Sequence, residues 1–287
     1  MPSEVVVDRI HFPEGPVWCP DGTLVVTSVS AGAVYRIDPS EGRARVVADV
    51  SGGANGAVLA SDGGFVIAQN GGIDLLATGV IPDAPPSRKA VPGLQRVLPD
   101  GSIEYLCDDG FRSPNDLAVA ADGTVYFTDP GHFPPPEPSV GRVMAYARDG
   151  SVREVAGPFC YCNGIAVERD GSLVVIERTG LLRMTADGTD HEWVIEELGP
   201  GAGDGFCLDA EGRFYVASTV EHGIRVVEPD GTVADFLHID GEGLTTNCCF
   251  GGDDLRTLYV TDGLPGRVVA FEGMPTPGLP MIPWPAP

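Results

Sequence analysis

A turn dipeptide, an acidic residue followed by glycine, returns along this chain at Asp21-Gly22, Asp62-Gly63, Asp122-Gly123, Asp170-Gly171 and Glu211-Gly212, and Asp253-Asp254 holds the same phase. After each comes a short run rich in β-branched and aromatic residues, such as Thr23-Leu24-Val25-Val26, Thr124-Val125-Tyr126-Phe127 and Arg213-Phe214-Tyr215-Val216, the composition of a strand. Asp-Gly between apolar runs closes a hairpin because both central residues favour positive φ. A second series, Asp100-Gly101, Asp149-Gly150, Asp187-Gly188 and Asp230-Gly231, closes the next hairpin in most repeats. Two hairpins make a four-stranded unit. The first turns are 41, 60, 48, 41 and 43 residues apart, close to the period of a propeller blade. No long stretch carries a helical period. The expectation is all-β: a six-bladed β-propeller of four-stranded antiparallel blades, one domain over residues 1–287. The last repeat supplies three strands, through Arg267-Val268-Val269-Ala270-Phe271, so the opening segment Val5–Ile10 is expected to add the fourth and leave no open edge. Residues 274–287 are too proline-rich for a central strand and are expected to pack as an extended strap.

Seven residues before each first turn stand Glu14, Asn55, Asn115, Asn163, Asp204 and, counted from Asp254, Asn247. All six are carboxylates or carboxamides, and Gly15, Gly56, Gly164 and Gly205 follow four of them. In a propeller the first strand of each blade lines the central channel, so one phase of six repeats places six side chains around one axis. They are expected just before that strand begins, at one mouth. The loops between second and third strands face the same mouth. Two are enlarged, Gln69 to Gly93 and Gly131 to Pro136, as walls of a substrate pocket would be. Carboxylates and amide oxygens are hard ligands, suited to Ca²⁺, Mg²⁺ or Mn²⁺ and tolerable for Zn²⁺. Without a cation, Glu14 and Asp204 would repel and one would take up a proton.

Composition narrows the function. A net charge of −23, from 41 acidic and 18 basic residues, argues against nucleic acid and anionic membrane, which both need a basic footprint. No apolar run reaches membrane-helix length, and Met1-Pro2-Ser3-Glu4 lacks the basic start of a signal peptide. The expected setting is the cytoplasm, and the expected partner is a small molecule; oligomeric state is left open. Seven cysteines, with no C-x-x-C pair, read as reduced thiols. No G-x-S-x-G elbow is present.

The stretches Phe12-Pro13-Glu14-Gly15-Pro16-Val17-Trp18, Ser113-Pro114-Asn115-Asp116, Asn163-Gly164-Ile165-Ala166, Gly203-Asp204-Gly205 and Thr245-Thr246-Asn247 occur in order along the chain. In them the sequence resembles the SMP-30/gluconolactonase, or regucalcin-like, family. The resemblance implies a six-bladed propeller holding one divalent cation, usually calcium or zinc. Its glutamate, asparagine and aspartate ligands would fall on Glu14, Asn163 and Asp204, and a further asparagine, near metal or substrate, on Asn115. The usual activity is opening of a lactone ring; some relatives hydrolyse organophosphates. Two departures make the mouth less polar than a sugar pocket: Ser113 stands where many sugar lactonases carry arginine, and Cys160-Tyr161-Cys162 where proline is common.

The expected function is therefore a metal-dependent lactonase, with the cation as Lewis acid and Asp204 as general base. Ca²⁺ is the first choice, with Zn²⁺, Mg²⁺ and Mn²⁺ as the others. Asn115, Asn55, Asn247, Ser113 and the loop residue His132 are candidates for substrate binding. The alternatives are a metal-dependent propeller acting on a phosphoester or a biosynthetic intermediate, and a non-catalytic binding module.

Overall fold

The computed structural model describes residues 1–81, 84, 86–131, 134–201 and 203–285. These residues form strands and connecting loops, with no α-helix among them. The chain opens with β1 (Glu4–Asp8). Blade 1 is β2 (Pro13–Trp18), β3 (Leu24–Ser28), β4 (Ala33–Asp38) and β5 (Arg43–Asp49). Blade 2 is β6 (Ala54–Leu59), β7 (Phe65–Gln69), β8 (Gly93–Val97) and β9 (Ile103–Cys107). Blade 3 is β10 (Leu117–Val119), β11 (Val125–Asp129), β12 (Gly141–Tyr146) and β13 (Val152–Phe159). Blade 4 follows as β14 (Cys162–Val167), β15 (Leu173–Glu177), β16 (Gly180–Met184) and β17 (His191–Ile195). Blade 5 is β18 (Gly203–Leu208), β19 (Phe214–Ser218), β20 (Gly223–Val227) and β21 (Val233–His238). Blade 6 has β22 (Leu244–Gly251), β23 (Thr257–Leu264) and β24 (Arg267–Glu272). Each blade is an antiparallel sheet in sequence order, and the sixth is completed by β1. Val5 pairs with Val269 and Val7 with Val268 across β1 and β24. The first and last strands thus share one sheet, as the missing fourth strand of the last repeat requires.

Burial follows position in the blade. The second strands β3, β7, β11, β15 and β19 are buried along their whole length, because each blade packs face to face against two neighbours. That is why these segments read as continuous apolar runs instead of alternating ones. The fourth strands carry exposed residues over most of their length. Six separate cores fill the six interfaces. Val58, Val66 and Phe127 pack between blades 2 and 3, and Val7, Leu24, Val26 and Val268 between blades 6 and 1. Fully burying one such side chain contributes roughly 1.5–3 kcal/mol, so the sixth interface, which closes the ring, is as necessary as the other five.

The C-terminal segment is an extended strap across the channel mouth at the first-turn end. The amide of Gly278 donates to Leu255 O of blade 6, and that of Leu279 to Leu208 O of blade 5, each at 2.8 Å. Further on, Trp284 donates to Leu59 O and accepts from the amide of Ser61, both at 2.8 Å and both on blade 2. Blades 2 and 5 are opposite in a ring of six, so the strap crosses the axis. Trp284 is its anchor: it is buried, lies 6.2 Å from the Tyr146 ring and has the Arg96 guanidinium over its face at 5.8 Å. Its indole N–H has no hydrogen-bond partner, so packing holds it. Trp284→Ala is expected to lower stability by about 3 kcal/mol in urea denaturation, whereas Trp284→Phe, which keeps an aromatic ring and removes the unpaired donor, should cost much less. A loss for the alanine variant no larger than that of the phenylalanine variant would show that the strap does not hold the ring.

Candidate active site at the channel axis

Strand geometry alone would not aim a side chain at the axis. Side chains of a regular inner strand alternate toward the two neighbouring blades. The six-residue phase overcomes this with an irregularity. Pairing of the first and second strands slips between Glu14 and Val17, Ala54 and Ala57, Cys162 and Ile165, and Gly203 and Phe206, and again between Thr245 and Asn247. Such bulges bend the strand and re-aim a side chain. Five of the six residues therefore lie inside the first strand, not ahead of it as the spacing suggested. Only Asn115 precedes its strand, and there the amide of Asn115 donates to Thr128 O at 2.9 Å. Glycine makes the crowding possible: a Cβ on Gly56 would lie 2.6 Å from Asp116 Oδ1, and one on Gly205 2.0 Å from Asn247 Cγ.

The side chains meet. Asn55 Nδ2 donates to Asn115 Oδ1, and Asn115 Nδ2 to Asn163 Oδ1. The Asn163 side chain lies beside Asp204 and favours its ionised form. Closing the circle, Asn247 Nδ2 lies 3.0 Å from Glu14 Oε2 and 3.1 Å from Asp116 Oδ1. All are buried except Asp204, which is half-buried. Their backbones are fixed from behind. Thr27 Oγ1 donates to Asn55 O at 2.5 Å, Thr128 Oγ1 to Asn163 O at 2.7 Å, and Thr261 Oγ1 to Asn247 O at 3.1 Å. A second polar row ends the second strands and anchors the chain entering the ring. Gln69 Oε1 accepts the amide of Gly53 at 2.7 Å, Asp129 Oδ1 that of Ser113 at 2.6 Å, and Glu177 Oε1 that of Cys160 at 2.8 Å.

Sequence spacing missed Asp116 as a member of the ring. Its neighbour Asn115 holds the repeating phase, so Asp116 falls one position out of step, where four of the other five blades have glycine and the sixth has Cys248. The available signal was that departure from glycine. Its carboxyl is pushed up to about 7, chiefly by burial. Burial also raises Glu14, with the charges of Asp204 and Asp116 adding to it, and raises Asp204, with Asp116 adding. Burial, then the charge of Asp204, raises the Tyr161 phenol, so this side chain faces the same carboxylates. Of the other expected residues, Ser113 is buried two positions outside the ring and tied to Asp129. His132 lies outside the described residues.

The described residues hold no group of three or more His, Cys, Asp or Glu side chains close enough to bind an ion by themselves, so a cation here depends on the carboxamides as well. Two features fit that demand. Asn55 Oδ1 is buried without a partner. Among the described residues no arginine or lysine forms an ion pair with Glu14, Asp116 or Asp204, although other buried carboxylates, Asp129, Asp209 and Asp262, each have an arginine. An amide oxygen has two lone pairs, so Asn163 Oδ1 can accept from Asn115 and still face an ion. Below the ring a cavity of about 680 Å³ runs from Asp116 and Asn247 down the channel to Leu279 and Ile282 of the strap.

The raised carboxylates give a pH dependence with a definite sign. A folded state that binds protons more tightly than the unfolded chain loses stability as pH rises from the unfolded pKa, about 4, through the folded one. Surface aspartates with lowered pKa, such as Asp21 and Asp62, act in the opposite sense but have finished titrating by about pH 5. Protein treated with chelator should therefore melt at a lower temperature at pH 8 than at pH 5, and added Ca²⁺ at pH 8 should restore it. A rise in melting temperature over that interval would contradict the crowding of Glu14, Asp116 and Asp204.

Comparison with known proteins agrees with this architecture. The chain is similar to the gluconolactonase of Zymomonas mobilis, 23% identical over 91% of this chain and 78% of that one. It is also similar to the 6-deoxy-6-sulfogluconolactonase of Pseudomonas putida, 26% identical over 88% and 84%. In three dimensions it superposes on a calcium-binding regucalcin from Agrobacterium tumefaciens with a TM-score of 0.80 at 19% identity, covering 99% of this chain and 97% of the other. Residues 12–263 match the SMP-30/gluconolactonase/LRE-like region. The chain belongs to that family.

Proposed function

We propose that this chain is a metal-dependent lactonase that opens a small-molecule lactone at the channel axis. The observation that carries the reading is the polar ring itself: Asn247 joins Glu14 to Asp116, Asp204 lies within electrostatic reach of both, three further carboxamides complete it, and among the described residues no arginine or lysine pairs with these carboxylates. The lactonase names of the relatives that align along most of the chain support the choice of substrate class. Glu14, Asn163 and Asp204 would hold the cation, with Asn55 Oδ1 beside them, and an all-oxygen set favours a hard ion such as Ca²⁺. When bound, the cation supplies Lewis-acid polarisation of an ester carbonyl.

The chain's own groups do the rest. The Asn163 amide favours the ionised form of Asp204, and the carboxylate takes a proton from the attacking water as its oxygen adds to the carbonyl carbon. The ring C–O bond breaks, and the same proton passes to the departing alkoxide, which leaves a hydroxy acid. Asn115 and Asn247 orient the substrate through their amides.

Asp204→Asn should lower kcat on the responsive lactone by about 100-fold or more, read with a pH indicator across a panel of aldonolactones and alkyl-substituted lactones. Glu14→Gln should lose bound cation, read by elemental analysis of the purified protein. Normal turnover together with normal metal content in Asp204→Asn would sink this assignment. Acid release from no lactone would direct attention to phosphoesters.

A further inference from the structure

Two thiols face each other just below the ring. Cys207 of β18 and Cys248 of β22 lie on the inner strands of blades 5 and 6, with their Sγ atoms 3.5 Å apart. Side-chain alternation produces this. Cys207 and Cys248 point into the same interface core, with Tyr215 and Phe250, whereas Phe206 turns toward blade 4 and Cys249 toward blade 1. It is the one Sγ–Sγ approach within hydrogen-bond range among the described residues. Both residues line the cavity below the ring, and Cys207 is only half-buried, so a small oxidant can reach the pair. Neither thiol has a role in the lactone chemistry above. Cys248 directly follows Asn247, and Cys207 lies three residues beyond Asp204.

We propose that Cys207 and Cys248 form an oxidation site, closed to a disulfide by hydrogen peroxide, which turns down the reaction at the ring by displacing Asp204 and Asn247. One sulfur attacks a peroxide oxygen; the O–O bond breaks, water leaves, and a sulfenic acid remains. The second sulfur then attacks the sulfenic sulfur, the S–O bond breaks, and a second water leaves. Two thiols and one peroxide give one disulfide and two waters. Closing the sulfurs from 3.5 Å to a disulfide bond of about 2.05 Å turns both side chains and pulls on the two inner strands that carry Asp204 and Asn247. Displacing a catalytic group by about 1 Å can cost a hundredfold in rate. Burial, with Cys248 adding, raises the Cys207 thiol above its ordinary pKa, which slows its reaction with peroxide.

The oxidation site stands on geometry alone; its effect on turnover rests on the lactonase reading. The test is intact mass after incubation of the full chain with peroxide, with a non-reducing peptide map. The expected result is the loss of two hydrogens located to Cys207–Cys248, with activity falling about tenfold or more and returning on addition of dithiothreitol. Cys207→Ser and Cys207→Ala, checked for unchanged melting, should keep both mass and activity in peroxide. Addition of oxygen without a disulfide, a disulfide between other cysteines, or no change in mass would overturn the site. A Cys207–Cys248 disulfide that leaves turnover untouched would overturn the regulation alone. If no lactone is hydrolysed, the mass readout still decides the site, so the two readings fail separately.

Discussion

The bulge in five of the six inner strands is the constraint on which the rest of the site depends. A strand that ran regularly would send every side chain into one of two interblade cores, as Cys248 and Phe250 go one way and Cys249 the other. The axis would then be lined by backbone. The slip in pairing at Glu14, Asn55, Asn163, Asp204 and Asn247 releases one side chain per blade. Six such side chains fit around one axis only because the neighbouring backbone is stripped of Cβ atoms, as at Gly56 beneath Asp116 and Gly205 beneath Asn247. The glycines after the ring residues thus make room for the neighbouring blade's polar group.

This explains which parts were legible in the sequence. Turn spacing recorded the blade count, and the deficit of one strand at the C-terminus required β1 to pair with β24, as it does. The ring phase was legible because one residue per repeat cannot vary its distance from the hairpin that follows. Asp116 was not legible by phase because it belongs to the ring by proximity, entering from the position beside it. The threonines behind the ring were not legible because Thr27 and Thr128 close apolar runs and meet Asn55 O and Asn163 O only when the next blade is in place. The long segment after Gln69 was read as a pocket wall; its described part builds a small core of its own, with Leu75 and Ala84 against Val29, and is tied down by Arg88 to Asp49 and by Lys89 to Gly72 O.

Charge is distributed with the same economy. The strand-end carboxylates Asp129 and Asp262 are neutralised by Arg142 and Arg267, and the exposed turn aspartates by hydrogen bonds from their own turns. Glu14 and Asp116 accept hydrogen bonds from amides, the backbone of Gly15 and the side chain of Asn247. In a chain of net charge −23, the axis is therefore where a divalent cation would remove most repulsion for each charge it brings. The amide series runs from Asn55 through Asn115 to Asn163, which lies beside Asp204.

The two ends of the channel are unequal in consequence. At the first-turn end the strap joins opposite blades across the axis and narrows the entrance. At the ring end Asp204 is the most exposed of the six, and the loops that leave the second strands stand around it. On the lactonase proposal, ring opening would convert a neutral ester into an anion at this mouth, and whatever negative charge the cation leaves uncompensated on Glu14, Asp116 and Asp204 would repel the product.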